Sequence, residues 1–341
     1  MKLIKTQDAV GCVLCHDITQ IIKGVTKDAV FRKGHVVTEE DIPVLLSVGK
    51  DHLYVLENEE GMLHENDAAE ILCQICKGQN LERSEVKEGK IELTATKDGL
   101  LKIQRETLQA INTLGQMMIA SRHGDTYVKK GDKIAGTRII PLMIEEEKME
   151  RAKRVSSTPI FDVIELKDKR IGLVTTGNEV YYGRIQDTFT PVIEEKLAEY
   201  NQHIHAHAIC NDDAKKITET ILDMIQNQGC DFILCTGGMS VDPDDRTPLA
   251  IKNTGAKIIS YGAPVLPGAM FLISYYEDHI PIVGLPGCVM YSKRTIFDLM
   301  LPRLLADDKI AAKELSQLGE GGLCLNCPVC TYPNCGFGKG R

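Results

Sequence analysis

Between Arg170 and Leu305 one pattern recurs: a short apolar run, a turn of small residues, then a helical stretch. RIGLVTTG runs from Arg170 to Gly177 and is followed by helical TPVIEEKLAEY, while HIHAHAI alternates as a strand. CDFILCTGG, AKIIS, AMFLISYY and IPIVGLPG are further short strands, and VMYSKRTIFDLMLPRLL reads as a closing helix. Asp212 is placed to cap a helix whose apolar stripe is Ala214, Ile217, Ile221, Met224 and Ile225. Strand and helix alternating in this way predict an α/β fold with a doubly wound, mostly parallel sheet. Its ligand site should lie beyond the carboxyl ends of the strands. With 29 Gly, no Trp and only 5% aromatic residues, the composition suits such layers better than an aromatic-packed β-sandwich.

Upstream the texture differs. Thr38 followed by Glu39, Glu40 and Asp41 marks a helix start, with Ile42, Leu45 and Leu46 buried and Gly49 as the stop. A helix is expected over 61–79 and another over 106–121, among β-like pieces from Glu88 to Ile144. Charged EEEKMERAKR, 145–154, reads as an exposed linker or a solvated helix face. At about 150 residues per domain, 341 residues divide into an α+β, β-rich region over 1–154, an α/β domain over 155–310 and a Cys-rich tail over 319–341.

Forty Lys plus Arg against 48 Asp plus Glu give a net charge of −8, so no general positive field gathers nucleic acid or anionic lipid. The N-terminal MKLIKTQDAVG lacks the apolar segment of a signal peptide, and no run approaches a membrane span; a cytoplasmic location is the expectation. In a reducing compartment the 12 cysteines are buried hydrophobes, metal ligands or redox groups rather than disulfides.

Three strands end in small-residue loops: Thr175-Thr176-Gly177-Asn178-Glu179, Thr236-Gly237-Gly238-Met239-Ser240 and Leu285-Pro286-Gly287-Cys288. Glycine lets backbone amides approach an anion closely, and three such loops on one sheet edge point to phosphate binding. No GxxxxGK[ST] or GxGxxG motif occurs, so the phosphate is not held as in ordinary nucleotide folds. Asp187, Asp212, Asp213, Asp242, Asp244 and Asp245 follow the same strands. Carboxylates beside a phosphate require a bridging cation, and Mg²⁺ takes one or two carboxylates plus phosphate oxygens. Asp213 and Asp244 read more simply as cap or turn residues.

These residues resemble the molybdopterin-binding domain of molybdopterin adenylyltransferases and molybdopterin molybdotransferases. TTGNE with GRIQD is similar to TGxE…GxIxD, TGGMS to the TGG loop, and DDRTPLAI to the DxTPEA segment; YGAPVLPGAMF and VGLPGCVMY are similar to the PGKP and GLPGNP segments. The resemblance covers about 170–305, with weaker similarity in AVGCVLCHDI and RKGHVVTEEDIPVLLSVG. It implies a Mg²⁺-dependent transferase of molybdenum cofactor biosynthesis, with Thr176, Gly177, Glu179, Asp187, Gly237, Gly238, Ser240, Pro286 and Gly287 at the pterin and its phosphate. Asp245 and Asp212 would be the catalytic carboxylates, and ATP or molybdate the second substrate. A homo-oligomer and a molybdoenzyme or cofactor-assembly partner also fit the resemblance. Pro267-Gly268-Ala269-Met270 stands where molybdotransferases carry the PGKP lysine, and Cys288-Val289 where they carry NP; Lys293 and Arg294 are the nearby cations. A non-catalytic pterin carrier or regulator is the competing reading, and a nucleotide-cleaving relative of the same domain a third.

The tail carries Cys324-x2-Cys327-x2-Cys330-x4-Cys335 in a stretch too short and too rich in Gly and Pro to bury a core of its own. The spacing approaches that of bacterial ferredoxins, but with one extra residue in the last gap and no Pro after Cys335; an iron–sulfur cluster, zinc or a metal-free thiol tail remain open. Cys12 and Cys15, in a probable strand, and helical Cys73 and Cys76 are expected in the core. His203, His205 and His207 are expected on the solvated face of an edge strand.

Overall fold

The computed structural model describes residues 2–22, 26–55, 60–240, 242–243 and 245–340. The chain divides into two compact units, one of residues 1–97, 103–122 and 130–163, the other of 98–102, 123–129 and 164–341.

In the first unit the helix Asp41–Ser47 starts where Asp41 accepts hydrogen bonds from the amide and hydroxyl of Thr38, both 2.8 Å. Its Leu45 packs with Leu14, Ile18, Val37 and Leu53. The helix Glu65–Cys76 is shorter than its apolar pattern suggests, because Met62–His64 is a strand paired with Met143–Glu145. Its buried stripe includes both Cys73 and Cys76, as expected. Cys15 is also buried, but it and Cys12 lie in an irregular segment bridged only at Val13 and Leu14.

One expectation fails here. The helix expected over 106–121 ends at Thr113, since Gly115 and Gln116 both take positive φ (72° and 64°); Met117–Ser121 is a strand that buries Met117 and Ile119. It joins the antiparallel sheet Leu81–Arg83, Lys90–Ala95, Lys133–Ile139, Met117–Ser121. Of the two readings of the charged run at 145–154, the solvated helix holds: it is the helix Glu146–Val155, mostly exposed but buried at Met149 and Ala152.

The second unit is built on a six-stranded sheet: β1 Ile171–Thr176, β2 Ile204–Cys210, β3 Phe232–Thr236, β4 Lys257–Tyr261, β5 Leu272–Tyr276 and β6 Ile280–Leu285. Their order is β2-β1-β3-β6-β5-β4; the first four are mutually parallel, and β5 pairs antiparallel with both β6 and β4. Burial on both faces explains the near-continuous apolar runs. Leu173, Phe232, Leu234, Val283 and Leu285 meet the helices α1 Phe189–Ala198 and α4 Ile296–Leu305 on one face. Val174, Ile233, Cys235 and Ile282 meet α2 Ala214–Gln226 and α3 Thr247–Asn253 on the other. The sheet is therefore doubly wound and mostly parallel. In α2 the cap is Asp213, which accepts from the amides of Lys215 (2.8 Å) and Lys216 (3.4 Å); Asp212, one residue earlier, points elsewhere. The closing helix begins only at Ile296, after a short 3-10 turn at Gly287–Met290, because Thr295 and Asp298 form a capping box there.

Candidate functional site

Parallel registry aligns the strand ends: Thr176 is opposite Cys210, Thr175 opposite Thr236, and Thr236 opposite Leu285. The three glycine loops and the Asp212 turn therefore leave the sheet along one edge, the carboxyl edge of its parallel strands.

Backbone proximity fixes the two central loops to one another. Gly237 takes φ +84°, and a β-carbon there would stand 2.1 Å from the carbonyl oxygen of Thr176; at Gly238, φ +55°, it would stand 2.8 Å from the Thr247 hydroxyl. That hydroxyl donates to the Gly237 carbonyl at 2.8 Å and lies 3.0 Å from the Thr176 hydroxyl. Thr247 and Thr176 are both buried. Thr247, not singled out from sequence as a site residue, is thus the pin of the Gly237-Gly238 loop; its only sequence signal is its place in DDRTPLAI. Gly177 donates to the Cys210 carbonyl at 3.2 Å, and Asn178 donates its amide to an Asp212 carboxylate oxygen at 2.9 Å. Asp212 thereby ties the first loop to the end of β2. Glu179 and Ser240 are exposed, and Pro286 is buried with Gly287 exposed beside it.

Asp245 is half-buried at the entry to α3, its carboxylate accepting from the Asp242 amide at 3.3 Å. Across from it the Tyr261 hydroxyl donates to the carbonyls of Met239 (3.0 Å) and Ser240 (3.4 Å). Burial, and then the Asp245 charge, push that phenol above its ordinary value. Asp244 lies outside the described residues.

Asp187 is bound into structure on all sides. It accepts from the amides of Phe189 (2.8 Å) and Thr190 (3.1 Å) at the start of α1 and from the Thr190 and Thr175 hydroxyls, with His207 Nε2 3.5 Å away. Burial pushes its carboxyl up, but these hydrogen bonds and the His207 charge together hold it below the usual carboxylate value. A depressed folded-state value contributes stability that is present above the unfolded carboxyl value of about 3.9 and lost as pH falls through the folded one. Asp187→Ala is therefore expected to lower stability at neutral pH by about 1 kcal/mol and to flatten the acid limb, as thermal unfolding at pH 3 and pH 7 would measure.

His205 and His207 stand as expected on the exposed edge strand β2, and His203 is exposed just before it; His207 lies 3.0 Å from the Thr175 hydroxyl and His205 accepts from Arg170 at 2.7 Å. Lys293 and Arg294 are not at the glycine loops' disposal. Lys293 donates to the Pro328 carbonyl at 2.9 Å, and Arg294 pairs with Glu199 (2.8 Å) and Asp298 (2.9 Å).

Two buried polar atoms at this edge, Thr236 Oγ1 and Asn211 Oδ1, have no hydrogen-bond partner. Buried groups are normally satisfied, so unpaired ones at the strand ends are places a bound molecule could complete. Among the described residues no group of three or more His, Cys, Asp or Glu side chains is arranged to hold a metal ion, and no helix is long and apolar enough to cross a membrane.

Residues 172–306 match the family model described as a probable molybdopterin binding domain, and residues 3–57 match a domain of unknown function. A CinA-like protein of Mycobacterium avium is 38% identical over 78 residues, 23% of this chain and 18% of that protein. A molybdopterin molybdenumtransferase of Synechococcus elongatus is 24% identical over 217 residues, 60% of this chain and 51% of that protein. The chain thus spans between about a fifth and about half the length of these curated relatives. Among solved structures, the molybdopterin biosynthesis enzyme MoaB of Thermus thermophilus aligns with TM-score 0.33 at 22% identity, covering 41% of this chain and 98% of that one. A molybdenum cofactor biosynthesis protein of Pyrococcus furiosus aligns with TM-score 0.26 at 13% identity, covering 91% and 65%.

Proposed function

We propose that the molybdopterin-binding domain at residues 172–306 holds molybdopterin along the carboxyl edge of its sheet, and that the chain serves molybdenum cofactor biosynthesis as a Mg²⁺-dependent transferase. One observation carries this reading: the segment that matches the family model is the segment whose three glycine loops emerge together, with Thr236 and Asn211 unsatisfied along the same edge. Amides of the Gly177 and Gly237-Gly238 loops would cradle the pterin's phosphate, and Glu179, Ser240, Pro286 and Gly287 would border the pterin. Asp187 and Thr190 brace this edge from behind.

Mg²⁺, when bound, supplies the positive charge that lets carboxylates and phosphate share the site. Half-buried Asp245 fits as its main protein ligand, with Asp212, at the end of β2, the second candidate; one or two carboxylates suffice, since phosphate oxygens complete the shell. In adenylyl transfer an oxygen of the pterin's terminal phosphate attacks the α-phosphorus of ATP and pyrophosphate leaves; the loop amides fix the alignment. In molybdate insertion the oxyanion needs a cation in place of the lysine absent from Pro267-Gly268-Ala269-Met270. That gap, with Lys293 and Arg294 committed to other partners, favours a second reading, a non-catalytic carrier of the pterin.

Asp245→Asn is expected to weaken Mg²⁺-dependent pterin binding at least tenfold, about 1.4 kcal/mol, with the far-ultraviolet circular dichroism unchanged. Equal affinity in wild type and variant would remove Asp245 from the site. Incubating the protein with molybdopterin and either ATP or molybdate separates the readings: an adenylylated or metallated product supports the transferase, and pterin bound without product supports the carrier.

A further inference from the structure

We infer that the C-terminal tail is the seat of an iron–sulfur cluster ligated by Cys324, Cys327, Cys330 and Cys335. All four line one cavity of about 220 Å³, together with Lys293 and Arg294. All four are free thiols, Cys324 and Cys335 half-buried and Cys327 and Cys330 exposed at its mouth.

Among the described residues the tail has no helix or strand of its own beyond Gln317, yet it is held at several points. Leu266 and Leu323 form a parallel bridge in which the Cys324 amide donates to the Leu266 carbonyl at 2.8 Å. Lys293 holds the Pro328 carbonyl, between Cys327 and Cys330, and the Tyr332 hydroxyl donates to the Asp298 carbonyl at 3.0 Å. Phe337 is 5% exposed, and the Gly338 amide donates to the Gly321 carbonyl at 2.9 Å. Every cysteine therefore lies within a few residues of an anchored position. Cys335 lines the same cavity as the other three, so the extra residue before it does not take it away from them.

The order of the thiols favours a cluster over a single ion: three cysteines at x2 intervals followed by a fourth approach the bacterial ferredoxin run, whereas zinc sites more often join two separated cysteine pairs. Charge agrees. Four thiolates make the assembly anionic, and Lys293 faces the same cavity with its hydrogen bonds made to carbonyls rather than carboxylates. The aliphatic and aromatic lining, including Phe337, would shield the cluster from solvent on its inner side.

The test is anaerobic reconstitution of the full chain with ferrous iron and sulfide, followed by desalting. The expected result is a broad visible absorption, a reduced-state electron paramagnetic resonance signal, and about four iron and four sulfide per chain. Cys12→Ser should leave these intact, and the double variant Cys327→Ser, Cys330→Ser should abolish them. Alkylation of the reconstituted wild type gives a readout that needs no variant: the four tail cysteines should be protected, and should become reactive once a chelator strips the iron. A colourless chain with one zinc, iron retained in the double variant, tail thiols that alkylate freely after reconstitution, or no metal retained would each overturn the assignment. The pterin site plays no part in this outcome, so a chain that takes the cluster but no pterin leaves it standing.

Discussion

Asp298→Ala is expected to destabilise the second unit by about 3–5 kcal/mol, as is found when one partner of a buried ion pair is removed. Asp298 is 3% exposed and accepts from Lys196 at 2.8 and 3.0 Å, from Arg294 at 2.9 Å and from the Thr295 amide at 2.7 Å. Truncation strands the Lys196 ammonium, itself only 6% exposed, and removes the cap of α4. The urea midpoint of the second unit should fall accordingly. Replacing both charges, Asp298→Leu with Lys196→Met, should recover part of the loss, because no buried charge is then left unpaired. A double variant no more stable than Asp298→Ala would show that the lost cap and Arg294 contact, not the stranded lysine, dominate.

This pair also shows why some of the structure was legible in the sequence and some was not. Local periodicity and turn chemistry revealed the strand–glycine–helix alternation, because both are written within a few residues. Asp213 was readable as a cap for the same reason, and so were the core positions Cys73 and Cys76. Partners distant in sequence leave no such mark. Lys196 and Asp298 are 102 positions apart, and Thr247 reaches Thr176 across 71. Asp187 looked from sequence like an acid available to a cation, whereas Thr175, Thr190 and His207 engage it in the fold. Lys293 and Arg294 looked like free cations for the same reason.

Where propensity alone decided, it misled. Glu106 to Ser121 is helical in composition, yet two consecutive residues at positive φ end the helix and send Met117 to Ser121 into a sheet, where alternation buries Met117 and Ile119. The run EEEKMERAKR hides two buried positions, Met149 and Ala152, three residues apart on one helix face. The tail is the reverse case. Its composition rightly suggested that it has no core of its own, but the body of the second unit supplies one through Phe337 and Tyr332, which pack against the cluster around Phe297 and Leu301.

The glycine loops offer the sharpest comparison, because their members differ in what a side chain would meet. Gly237→Ala places a methyl group 2.1 Å from the Thr176 carbonyl oxygen at a φ of +84°. The left-handed backbone costs an L-residue about 1–2 kcal/mol, and the overlap is with backbone, so the loop itself must move. Its displacement would carry the Gly237-Gly238 amides off the edge on which the proposed phosphate site depends. Pterin affinity should fall more than a hundredfold, about 2.8 kcal/mol, beyond any modest loss of thermal stability. Gly287→Ala meets nothing within 4 Å, and Gly287 has no positive φ, so the fold should tolerate it. Any loss of affinity at that position would then report close approach of the ligand to the backbone rather than strain. Isothermal titration of molybdopterin against both variants checks the pair. Undiminished binding by Gly237→Ala would place the phosphate elsewhere on the sheet.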